Sequence, residues 1–265
     1  MAVFFTENLK IMRLLTTLCL LFLITSCSTT TNIIEGKNKP EDYFYVQKSI
    51  NSNGKWVVFL PGTSGLKIFE DEEHYFNVAK KLNKQGYTVV LVDYKPAYKV
   101  SGRKVDESTG DKILWVTEQA IQWALKNNHI SKAQKGSIIG WSLAGEGMVL
   151  LANNPSKIES LNIKSLALYY PSNQEEIKLI SNLPILIQSG ELDKITSKNS
   201  IQEYFGNNTN TSIIFYENAH HGFDVESLDE GKKMRFPPVV GEKYTFQYNE
   251  VAAAQAMIKL LSFLK

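Results

Sequence analysis

A chain of 265 residues, 43% hydrophobic and 21% charged, holds enough apolar material for one large core and needs no second domain. Its formal net charge of +2 is too weak a field for a nucleic-acid binder. No basic run is interleaved with aromatics either, so that class is set aside.

At the start of the chain, Lys10 and Arg13 precede an apolar run from Leu14 to Ile24 that ends in small and polar residues, the order of an export signal. The run is shorter than the roughly 20 apolar residues of a membrane-spanning helix, so cleavage is expected rather than a permanent span. Ile24, Thr25, Ser26 and Cys27 resemble the lipobox of bacterial lipoproteins. That resemblance implies a signal peptide over 1–26 and a lipid on Cys27, which would tie the protein to a membrane. Ser28 fits sorting to the outer membrane, so an exported envelope lipoprotein facing the periplasm is expected. A cysteine beside an ordinary cleavage site is the plainer alternative. Initiation at Met12 would shorten the signal and leave the same mature product. Cys19, the only other cysteine, would leave with the signal, so the mature domain cannot rest on a disulfide. Residues 27–42, rich in Thr, Asn and Lys, read as a solvated tether, and 43–265 as the folded domain.

Beyond the tether, apolar runs alternate with helix-like stretches, with no internal repeat. Trp56–Leu60 and Tyr87–Val92 read as buried strands. Between them, 72–85 has Tyr75, Phe76, Val78, Ala79 and Leu82 at helical spacing and stops at Gly86. The same grammar predicts a helix over 111–127, a strand over Ser137–Trp141, a helix from Leu143, and strands over Ser165–Tyr170 and Ile185–Ser189. It continues with a helix around Ile201, a strand over Ser212–Tyr216 and a last helix over 250–264. Strands this continuously apolar belong in a mostly parallel sheet with helices on both faces. Segments 95–110 and 224–248 read as long irregular loops facing the substrate.

Gly140, Trp141, Ser142, Leu143, Ala144 and Gly145 join the strand Ser137–Trp141 to a helix, the setting of a nucleophile elbow. The pattern departs from G-x-S-x-G by one alanine. A serine that merely caps a helix is the plain alternative. A serine hydroxyl needs a base, and that base needs a carboxylate, in the chain order serine, acid, histidine. After Ser142 the only histidines are His220 and His221, just past the last short strand, and Gly222 permits a tight loop beside His221. His74 and His129 read as surface or helix-end residues. Asp193, after the strand that ends at Ser189, is the better candidate for the acid, with Glu191 as the fallback. The oxyanion donors should be the N–H of Leu143 and one from Pro61–Gly65, where Thr63 is the choice because proline cannot donate and Gly62 sets the turn.

These residues resemble the dienelactone hydrolase family of the α/β-hydrolases over roughly 50–265. The likeness rests on Gly140–Gly145, on Gly190–Asp193, on Ala219–Asp224, which matches the family's A-x-H-x-F segment, and on Tyr248–Ala254. It implies the α/β-hydrolase fold, Ser142, Asp193 and His221 as a triad, and hydrolysis of a small-molecule ester or lactone. Two departures point away from dienelactone itself: a serine stands where the founding enzymes have cysteine, and Pro61 stands where many relatives have histidine. No cofactor is expected, and no His or Cys cluster has metal-ligand spacing. The rival expectations are an inactive binding lipoprotein on the same fold, or a peptidase or acyltransferase with the same three residues. Tyr94, Tyr98 and Arg103 are candidates for shaping the pocket.

Overall fold

A computed structural model describes residues 36–104, 106–236 and 241–265. The expected signal peptide, Cys27 and the first part of the tether lie outside the described residues. One sheet holds seven strands: β1 (Phe44–Gln47), β2 (Trp56–Leu60), β3 (Thr88–Val92), β4 (Gly136–Trp141), β5 (Ile163–Tyr169), β6 (Ile185–Gly190) and β7 (Thr211–Tyr216). Their order is β1-β3-β2-β4-β5-β6-β7. Only β1 runs antiparallel to its neighbour; the other pairs are parallel.

Side chains along these strands alternate between two cores. Val58, Leu60, Val90, Val92 and Ile138 enter one, with residues of helices α2 (Tyr94–Val100), α3 (Thr109–Lys126), α4 (Ala144–Ala152), α5 (Pro155–Ser160) and α6 (Lys198–Phe205) packed against them. Val57, Phe59, Val89, Leu91, Ile139 and Trp141 enter the other, closed by α1 (His74–Asn83) and α7 (Glu250–Phe263). Every residue of β2, β3, β4 and β6 is buried. Each fully buried Val, Leu, Ile or Phe contributes about 1.5–3 kcal/mol, so covering both faces is what makes so apolar a strand set soluble. Helix starts follow local chemistry: Ser108, Asn154, Ser197 and Asn249 each accept an N–H of the first turn. This is the α/β-hydrolase fold.

Several expectations change in detail. Segment 95–110 is not one long loop, because α2 begins at Tyr94 with Pro96 in its first turn, where a missing N–H costs nothing. Helix α3 starts at Thr109 rather than 111, set by the Ser108 cap. Segment 224–248 carries a 3-10 turn at Glu226–Leu228 and a hairpin of β8 (Lys232–Phe236) and β9 (Glu242–Phe246). The strand β1 and the helix α5 were too short to show a period. The last tether residues are built in: Pro40–Tyr43 is a 3-10 helix, and the Lys37 ammonium donates to the Tyr45 hydroxyl at 2.8 Å. No helix among the described residues is long and apolar enough to cross a membrane.

Parallel strands share a carboxyl edge, and the loops leaving it sit together. Asp93, between β3 and α2, lies at this edge against Gly65, where an added Cβ would stand 2.8 Å from its Oδ1. Burial pushes this carboxyl up to about 6, against the pull of Lys37 and Lys95. An aspartate whose folded value exceeds its unfolded one takes up protons in the fold, so stability falls as pH rises through that window and the loss is complete above it. Asp93→Asn should therefore raise stability to urea by roughly 1–2 kcal/mol at pH 8 while leaving it near wild type at pH 4. An equal effect at both pH values would show that the charge is not the cause.

Candidate active site

Strand β4 ends at Trp141, and the next residue, Ser142, turns back with φ +48°, a left-handed conformation that costs a non-glycine residue about 1 kcal/mol or more. Three hydrogen bonds hold it there. Its N–H donates to Tyr169 C=O at 2.9 Å, and its C=O accepts from Gly145 N–H at 2.9 Å and Ser172 N–H at 2.8 Å. A Cβ on Gly145 would come 2.4 Å from the Ser172 carbonyl oxygen, so glycine is required. A Cβ on Gly140 would come 3.1 Å from the Ala144 methyl, which explains why the alanine at 144 is tolerated: the opposite position is bare. Glu146, buried in the first turn of α4, accepts from the Ser172 hydroxyl at 2.6 Å and the Gln174 N–H at 2.7 Å, fixing the segment that supports Ser142.

His221 lies in the loop after β7 and is 6% exposed. Its Nε2 is 3.1 Å from Ser142 Oγ and its Nδ1 2.8 Å from Asp193 Oδ2. An ionised carboxylate only accepts, so Nδ1 carries the proton and Nε2 is free to accept from the serine. Asp193 also accepts from Ile195 N–H at 2.8 Å, Thr196 N–H at 3.0 Å and the Thr196 hydroxyl at 2.8 Å. Burial alone would raise this carboxyl, but His221 and the Thr196 donors outweigh burial and hold it below the usual aspartate range. Glu191, the other acid considered, is exposed and pairs with Lys198 at 2.9 Å. His220 is half-buried and bonds to neither Ser142 nor Asp193.

The loop after β2 presses on the serine: a Cβ on Gly62 would lie 3.2 Å from Ser142 Cβ. Gly62 donates its N–H to the Tyr75 hydroxyl at 3.2 Å, so that group is taken. Its carbonyl accepts from Tyr94 at 3.3 Å and from Gly65 N–H at 3.1 Å. Because a peptide is planar and trans, pinning this carbonyl also sets the direction of the Thr63 N–H on the same plane. Burial pushes the Tyr75 and Tyr94 hydroxyls well above the ordinary tyrosine value, so both stay protonated. Neither Thr63 N–H nor Leu143 N–H has a hydrogen-bond partner among the described residues.

His74 is a correction, for it opens α1 as a helix-end residue but is buried, 3.5 Å from Asp224. Tyr98 and Arg103 both bond to Glu107, and of the three pocket candidates Tyr94 is the one that reaches the Gly62 loop. Tyr94 is thus brought to the site as the sequence suggested, whereas the contact of Tyr75 with Gly62 carries no sequence signal. Thr196 carries one, since a threonine three residues after an aspartate is a common side-chain turn. No metal-binding cluster of His, Cys, Asp and Glu is found among the described residues.

The sequence profile of the dienelactone hydrolase family matches residues 43–265. No curated protein matches the chain. Among solved structures it is similar to a protein from Klebsiella pneumoniae described as a dienelactone hydrolase, at 18% identity and a TM-score of 0.60, over 83% of this chain and 91% of that one. Est1E from Butyrivibrio proteoclasticus is similar at 14% identity and a TM-score of 0.54, over 83% and 93% of the two chains. A serine hydrolase without lid from Xanthomonas campestris gives 13% and 0.51, over 67% and 79%. At these identities the structural likeness is one of fold, and the profile match decides membership: the chain belongs to the dienelactone hydrolase family.

Proposed function

We propose that this hydrolase cleaves carboxylic esters or lactones through an acyl-enzyme on Ser142, with His221 as base and Asp193 as its orienting carboxylate. The observation that carries the proposal is the unbroken chain from Ser142 Oγ through His221 to Asp193, at 3.1 and 2.8 Å. In this reading Ser142 Oγ attacks the carbonyl carbon as its proton passes to His221 Nε2. The oxyanion is held by the N–H groups of Leu143 and Thr63. His221 returns the proton to the leaving alkoxide as the C–O bond breaks. Water then gives a proton to His221 and attacks the acyl carbon, and as the acyl C–O bond to Ser142 breaks His221 returns that proton to Oγ. Asp193 stays ionised throughout and stabilises the imidazolium.

A fluorophosphonate probe tests this directly. Wild-type protein should label, while Ser142→Ala and His221→Ala should not; a folded wild type that stays unlabelled would favour a binding role on the same fold. Hydrolysis of nitrophenyl esters and simple lactones in preference to peptides is expected from the same preparation. Asp193→Asn should lower kcat by roughly 10³–10⁴-fold, because an amide no longer selects the productive tautomer. Tyr94→Phe, which frees the Gly62 carbonyl, should lower kcat about tenfold with KM little changed, since a misaimed donor is lost mainly in the transition state.

We further propose that the mature protein is an envelope lipoprotein held to a membrane by a lipid on Cys27, a reading supported by the order Ile24, Thr25, Ser26, Cys27. Expression with a clickable palmitate analogue should label the wild type in the membrane fraction. Cys27→Ala should remain unlabelled.

A further inference from the structure

A second carboxylate, Asp224, with only 8% of its side chain exposed, is linked to His221 through Tyr170. Asp224 Oδ2 accepts from the indole N–H of Trp141 at 2.8 Å, and its Oδ1 accepts from the Tyr170 hydroxyl at 2.7 Å. His74 Nε2 lies 3.5 Å from Oδ2. Trp141 immediately precedes Ser142. The Tyr170 ring lies 4.4 Å from the His221 ring, centroid to centroid, tilted by 54°, and the Phe246 ring meets His221 edge-on at 5.7 Å. One carboxylate thus holds both the residue before the serine and the ring against the histidine. Burying it costs several kcal/mol unless it is fully paired, and a chain seeking only to fill this space would do so with apolar side chains. Burial opposes the charge, and His74, Trp141 and Tyr170 more than offset that, so Asp224 stays ionised below the ordinary aspartate range.

We propose that Asp224 and Tyr170 act together as positioning residues for His221, Asp224 drawing on the phenol proton so that the Tyr170 ring presents a more electron-rich face to the imidazolium that forms as Ser142 reacts. The physics is that of a cation over an aromatic ring, made stronger when the ring's hydroxyl donates to a full negative charge. The rotation of His221 is restricted by the same contact. This rests on the assignment of Ser142 and His221 given above. The groups that face His221 are Ser142, Asp193, Tyr170 and Phe246, and those that face Asp224 are His74, Trp141 and Tyr170. Tyr75 and Tyr169 also feel its charge and remain neutral, protonated groups.

The test measures the rate of fluorophosphonate labelling against pH for wild type, Tyr170→Phe, Asp224→Asn and the double variant. Tyr170→Phe keeps the ring, and Asp224→Asn keeps the shape. Each single change should slow labelling at the plateau about three- to tenfold, the scale of one cation–ring contact. Each should also move the acid limb of the profile to lower pH by about half a unit, because the protonated base loses stabilisation. The double variant should be no slower than the slower single one, since both residues act through one path. Unchanged plateau and acid limb, with only the melting temperature lowered, would make the network structural and overturn the proposal. Additive losses in the double variant would overturn it as well. Should Asp224→Asn not fold, Tyr170→Phe alone decides on its plateau and limb. A wild type that fails to label removes the hydrolase reading and this inference with it, whereas labelling that is indifferent to both substitutions removes the inference alone.

Discussion

The backward turn at Ser142 is the constraint around which the rest is arranged. A residue with a side chain is held at φ +48°, and three backbone hydrogen bonds from two other segments keep it there. Those bonds require β5 to run alongside β4, so that Tyr169 can accept, and they require the Pro171–Ser172 segment to lie under α4. That in turn forbids a side chain at 145 and draws in Glu146 as a buried anchor. Crowding by the Gly62 loop follows from the same turn, because the serine projects at the edge where β2 also ends. Each of these elements is a local solution to the problem of exposing one hydroxyl on a strained turn.

The sheet was readable because strands buried on both faces are apolar at every position, and such runs need no partner information to be recognised. Ser142 and His221 were readable for a different reason: each stands in a short segment rich in small residues, next to a strand end. The sequence favours Asp193 over Glu191, but which of the two points inward is a matter of the turn they share: in the fold Asp193 meets His221 and Glu191 is exposed, paired with Lys198. His74 was misread for a like cause. A histidine opening an amphipathic helix is ordinarily solvated, but here its neighbours include Trp141 and Asp224, the latter 150 residues further along the chain, which nothing in the local sequence reveals. Helix α2 and strand β1 escaped because seven and four residues are too few for either period to show.

Two carboxylates flank the histidine with different partners. Asp193 is surrounded by backbone and hydroxyl donors from its own turn, and touches the imidazole directly. Among the described residues Asp224 is reached by ring-borne donors from distant elements, and is linked to the imidazole through the Tyr170 ring packed beside it. The first arrangement is built by a loop of a few residues. The second exists only once β4, β5 and α1 are assembled, so it depends on the completed domain.

The alanine at 144 carries a wider consequence. Strand β4 and helix α4 approach so closely that the space between positions 140 and 144 admits a single methyl group, and here it is carried by the helix. What this elbow needs at the pair is then a shared volume rather than two particular letters. A strict pattern search would pass over this chain for that one methyl, although its serine makes the backward turn all the same.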